Sequence, residues 1–187
     1  DRAIEVTIRP ESLRIKYQLC LTQLTLAEEL ISLVGTGGVS GTGSAERMDI
    51  YAAKMGPLIA HGLLVKLDRN ELPVPVRFIA ASHRVEDHPR FQFEMEVVSE
   101  AGIAVQHQIL FEDTNFFLEK GRLRIAIHAS PPCELENSSV PTSLDEVPVK
   151  ASWEMTPEQQ DATRRAAASW RQSSAAADLP GDSTSGG

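Results

Sequence analysis

Ile4-Glu5-Val6-Thr7-Ile8-Arg9-Pro10-Glu11-Ser12-Leu13-Arg14-Ile15-Lys16-Tyr17-Gln18-Leu19 changes side at almost every residue. Ile4, Val6 and Ile8 fall on one face and Glu5, Thr7 and Arg9 on the other, the period-two pattern of a half-buried strand. Pro10 is preset for the second position of a turn. On the return, Leu13, Ile15, Tyr17, Leu19 and Leu21 share one face, with Arg14, Lys16 and Gln18 opposite. The stretch predicts an antiparallel hairpin that starts a sheet with one buried face.

Beyond it the period changes. Thr25 and Glu28 have the spacing of a capping box, and Leu26, Leu30, Leu33 and Val34 form one helical stripe ending at Gly35. Gly35 to Gly43 reads as a mobile, glycine-rich loop rather than a phosphate cradle, because Gly43-Ser44 lacks the lysine of a nucleotide loop. Ser44 can cap a second helix with Met48, Tyr51, Ala52, Met55 and Ile59 inward, and Gly56-Pro57 is expected to kink it or end it early. Strand patterns then return: Leu63 to Leu67 with a partner around Val74, Val76 and Phe78, then Phe91 to Val97, His107 to Glu112 and Leu123 to Ile127, at the spacing of a meander.

The expected fold is α+β and mostly β: an antiparallel β-sandwich or twisted sheet with a two-helix insertion at 26–61. Residues 1–130 read as the globular unit. Residues 131–171, rich in proline and serine, read as a connector with a short helix from the Thr156-Pro157-Glu158-Gln159 cap to about Trp170, and 172–187 as a disordered tail.

The 187 residues carry 26 acidic and 18 basic side chains, a formal net charge of -8. Such a field disfavours nucleic acid and anionic membrane surfaces. The longest apolar stretch, Leu58 to Leu67, is interrupted by His61, Gly62 and Lys66 and falls short of a membrane helix, so the chain reads as soluble. An opening Asp1 suggests a processed form or a piece of something longer.

Chemistry-bearing residues are sparse. His83, Glu86, Asp87 and His88 place four donors within six residues, a set that suits zinc, nickel or cobalt if a loop can converge them; a solvated loop before Pro89 is the plainer reading. No other cofactor is expected. His107 shares parity with Ile109 and Phe111 and is expected as a hydrogen-bonded core histidine, while His128 lies on the polar face with Arg122 and Arg124. Cys20 and Cys133 are compatible with one disulfide or with two thiols. Ser82-His83 and Cys133-Glu134 lack the strand-turn-helix setting of an activated nucleophile, so no catalytic residue is assigned and the expectation is not an enzyme.

The opening D-R-x-I-x-V-x-x-x-P-E-x-L-x-I-x-Y-x-L at Asp1 to Leu19, the two-helix insertion, V-x-L-D at Val65 to Asp68 and F-E-D-x-N-F at Phe111 to Phe116 carry a resemblance over about residues 1–130. They resemble the extracytoplasmic N-terminal domain that in some bacteria precedes a membrane segment like those of nickel/cobalt or HupE/UreJ-type transporters. The resemblance implies a periplasmic or secreted binding or accessory domain beside a membrane partner, and such an oxidising setting favours linking Cys20 to Cys133. The alternative is a small-ligand-binding roll, or an enzyme, with its pocket between the helices and the sheet.

Overall fold

The computed structural model describes residues 1–68, 70, 72–98, 106–116 and 121–172. In chain order these form β1 (Arg2–Ile8), β2 (Ser12–Cys20), α1 (Gln23–Val34), α2 (Ser44–His61), β3 (Leu63–Leu67), β4 (Arg77–Arg84), β5 (Arg90–Val98), β6 (His107–Asp113), β7 (Leu123–Ala129), β8 (Cys133–Ser138), α3 (Pro157–Thr163) and β9 (Arg165–Gln172). The strands build two sheets, β4-β5-β2-β1-β7 and β3-β6-β9-β8. The fold is therefore α+β and sheet-rich, with two helices inserted after the opening hairpin.

That hairpin forms in the register its alternation dictates, with Ile4 opposite Tyr17 and Val6 opposite Ile15. Ile4, Val6, Ile8, Leu13, Ile15, Tyr17 and Leu19 are buried on its inner face. β5 extends the same face, placing Phe91 beside Leu19, Phe93 beside Tyr17 and Met95 beside Ile15. α2 packs over β4 and β5, while β7 meets β8 and β9, so helices cover one end of the inner face and the second sheet the other. Gly56 permits the approach of α2: a Cβ there would lie 2.4 Å from the Phe78 ring.

Several local expectations change. α1 starts a turn earlier, because the Thr22 hydroxyl accepts from Thr25 N at 3.1 Å and Thr22, not Thr25, is the N-cap. The loop after α1 contains a 3-10 turn at Thr36–Val39, and the residue before α2 is Gly43, with no side-chain cap. Pro57 lies inside α2 without ending it, since burial of Ile59 and Ala60 holds the last turn and Gly62 N donates to Leu58 O and Ile59 O.

The expected pairing of 63–67 with 74–78 reduces to a single bridge, Val65 with Val74. Pro73 and Pro75 have no N–H to donate, and β3 instead pairs along its length with β6. Nor do the later strands form a meander: β5, β6, β7 and β8 fall in the two sheets by turns, and β1 runs parallel to β7, Arg2 opposite Leu123 through Ile8 opposite Ala129.

Residues 131–171 are more than a connector. They supply β8 and β9, and β9 lies between β6 and β8 at the centre of the second sheet. α3 has the expected capping box but stops at Thr163, because Ala166, Ala168 and Trp170 turn inward at period two. The second sheet thus draws on both sides of residue 130. Gln172 closes β9, and the tail expected beyond it lies outside the described residues. Among the described residues no helix is long and apolar enough to cross a membrane.

Candidate anion-binding groove

Strand register places two rows of side chains across the outer face of the first sheet. Arg84 of β4 stands opposite Arg90 of β5, and Arg90 opposite Cys20 of β2. Cys20 exchanges main-chain hydrogen bonds with Asp1, whose carboxylate accepts from Arg122 N at 3.0 Å. One residue pair further along, Ser82, Gln92, Gln18, Ala3 and Arg124 follow each other from β4 to β7. Side chains two apart on a strand share a face, so both rows look outward.

These rows line a groove of about 660 Å³, with Val149 of the segment after β8 also on its lining. Arg124 Nη1 donates to Leu144 O at 3.4 Å, and Ala3 and Ala126 are buried on this otherwise solvated face where that segment crosses β1 and β7. Five arginines touch the groove, but Arg2 shares parity with Ile4 and sends its guanidinium into the interior. Arg84, Arg90, Arg122 and Arg124 remain, with Asp1 as the acid on the lining. Arg90 Nε is 3.3 Å from Glu86, and among the described residues Arg84 and Arg122 have no ion pair.

Farther along the same face the charges cancel. Arg14 pairs with Glu94 at 3.2 Å, Lys16 with Glu5 at 3.8 Å and Arg77 with Glu96 at 2.8 Å. The Arg77 hydrogen bond holds the Glu96 carboxyl below the usual carboxylate range. In an acidic chain, the groove end gathers four arginines with one carboxylate on the lining.

Beneath the groove a buried polar network fixes its edge. Arg2 Nη1 donates to Asp113 Oδ2 at 3.2 Å and to Asn115 O at 2.7 Å, and Tyr17 OH reaches Asp113 Oδ2 at 3.4 Å. Asn115 gives Asp113 Oδ1 its main-chain N–H and its amide. Arg164 donates to the carbonyls of Asp113, Asn115 and Phe116. Burial pushes the Tyr17 hydroxyl far above its usual range and the Asp113 carboxyl upward, the latter against the pull of Arg2 and Asn115. Tyr17 and Asp113 are both fully enclosed, so this network links the two sheets to the end of α2 rather than meeting a ligand.

The four expected metal donors are not brought together, and among the described residues no group of three or more His, Cys, Asp or Glu side chains could hold a metal ion. His83 is still in β4 and faces α2, with Nε2 2.8 Å from Asp49 Oδ1 and its ring against Phe91. Glu86 turns to Arg90, and Asp87 and His88 are exposed in the bend before Pro89. Nor does the disulfide form. Cys20 and Cys133 are both free thiols, because Cys20 is on the outer face of the first sheet while Cys133 packs into the core from the second. Burial raises the Cys133 thiol.

His107 is buried as expected, bonded through Nδ1 to Asp68 at 3.2 Å and tilted against Trp170. His128 Nε2 meets Thr7 Oγ1 at 3.0 Å on the outer face. The space between helices and sheet, where a pocket was the alternative, is filled by Tyr51, Ile59, Phe91 and Met95. Sequence reasoning missed the arginines. Their signal was an arginine at each end of the 84–90 loop and a second pair at i and i+2, Arg122 just before β7 and Arg124 on its polar face. No protein family, curated protein or solved structure compared with the chain matches it.

Proposed function

We propose that the chain is a non-enzymatic binding domain whose groove takes a ligand through carboxylate or phosphate groups. The observation that supports this is the gathering of Arg84, Arg90, Arg122 and Arg124 around one concavity in a chain of formal charge -8. Guanidinium presents a planar fork of donors that matches carboxylate and phosphate oxygens two at a time, and it stays charged at any physiological pH. The concavity is of the size that small ligands occupy. Gln18, Gln92 and Ser82 add neutral donors and acceptors to orient what the arginines attract. The resemblance noted above favours an extracytoplasmic setting, with the domain acting beside a membrane partner.

Titration calorimetry with citrate and with inorganic phosphate tests this reading. Heat is expected from the wild-type chain at low ionic strength, weakening as salt screens the arginines. The quadruple variant R84Q/R90Q/R122Q/R124Q is expected to bind neither anion. Absence of wild-type binding, or undiminished binding by the variant, would overturn the proposal.

A further inference from the structure

We infer that the groove is shaped for a linear ligand with two separated anionic groups, an extended acidic peptide segment; this rests on the anion-binding reading and deepens it. The four guanidiniums are not one cluster. Arg84 and Arg90 are cross-strand neighbours on β4 and β5, whereas Arg122 and Arg124 are i and i+2 at the far edge, on β7 or just before it. β2 and β1 intervene. Three inter-strand steps of about 4.8 Å set β5 and β7 about 14 Å apart. A single carboxylate or phosphate held by one pair therefore leaves the other pair unneutralised.

The floor between the pairs is uncharged apart from Asp1: Cys20, Gln18, Gln92 and Ala3. Amide side chains both donate and accept, which suits the main chain of a peptide lying across the strands. An extended peptide advances about 3.3 Å per residue and alternates its side chains, so acidic side chains four positions apart share a face and are separated by about 13 Å, enough to meet both pairs. Glu86 already occupies Arg90 Nε at 3.3 Å, which leaves that guanidinium's terminal nitrogens for the ligand. A long polyanion fits worse, because it must continue onto a face where Glu5, Glu94 and Glu96 hold the neighbouring cations in ion pairs.

The test uses fluorescence anisotropy with three dye-labelled, end-blocked serine pentapeptides: glutamate at both ends, glutamate at one end, and two adjacent glutamates at one end. The end-to-end diacid is expected to bind about tenfold or more tighter than the single acid, because the second contact is intramolecular. R84Q/R90Q and R122Q/R124Q should each bring it down to the single-acid level, with unchanged circular dichroism and melting temperature. Equal affinity for all three peptides, or preference for the adjacent diacid, overturns the bridging inference while the anion-binding groove stands. Tighter binding of a single-stranded oligonucleotide than of any peptide also overturns it. If the pentapeptides, citrate and phosphate all fail to bind, both readings fall together.

Discussion

Replacing Asp113 with alanine tests the network that fixes the groove's edge. The carboxylate is fully enclosed and accepts from Arg2 Nη1, Tyr17 OH, Asn115 N and Asn115 Nδ2. Alanine leaves those donors without their acceptor, and Arg2, 8% exposed, without its counter-charge. Removing one partner of a buried ion pair costs about 3 to 5 kcal/mol, a large share of the roughly 5 to 15 kcal/mol that holds a domain folded. For a chain of this size that lowers the melting temperature by about 6 to 20 °C. Urea denaturation at neutral pH, followed by far-ultraviolet circular dichroism, measures it directly. The R2M/D113L double variant, which removes both charges, should recover much of the loss. A loss below about 1 kcal/mol for D113A would refute the reasoning, since so small an effect is typical of an exposed pair.

Gly56→Ala should destabilise by about 1 to 2 kcal/mol in the same assay, although alanine alone favours a helix by about 1 kcal/mol, because the new methyl meets the Phe78 ring at 2.4 Å. A gain in stability would show that Phe78 yields freely. With a chromogenic thiol reagent, the native chain should show one fast thiol, half-exposed Cys20, and one slow thiol, Cys133, whose burial raises it; the denatured, unreduced chain should show two. Two equally fast thiols in the native state, or none after denaturation, would contradict this packing.

The hairpin and the inner faces of β5 and β6 were legible because alternation is local and a slip by one residue would expose every buried side chain. The two inserted helices were legible to within a turn, the error at α1 arising from two threonines three residues apart that can both cap. β9 was misread because Ala166-Ala167-Ala168 carries no period of its own, so the real cap at Thr156 seemed to launch a longer helix. The candidate site was less legible. Adjacency in sequence suggested a metal loop at 83–88, but strand direction commits His83 to the helices and an ion pair commits Glu86 to Arg90. The arginine groove depends on β7 joining β1 in parallel, a pairing across more than a hundred residues that no local pattern encodes.

The central place of β9 also bears on the order of assembly. Synthesis runs from the N-terminus, so β3 with β6, and then β8, leave the ribosome as two pieces with facing unsatisfied edges, and only Arg165 to Gln172 joins them. Until then Phe111 and Ile109 have no Ala166 or Ala168 beside them, and the nascent chain offers an open strand to any neighbour. A chain released before Arg165 would present that unpaired β6 edge, making premature termination a route to aggregation rather than to a smaller working domain.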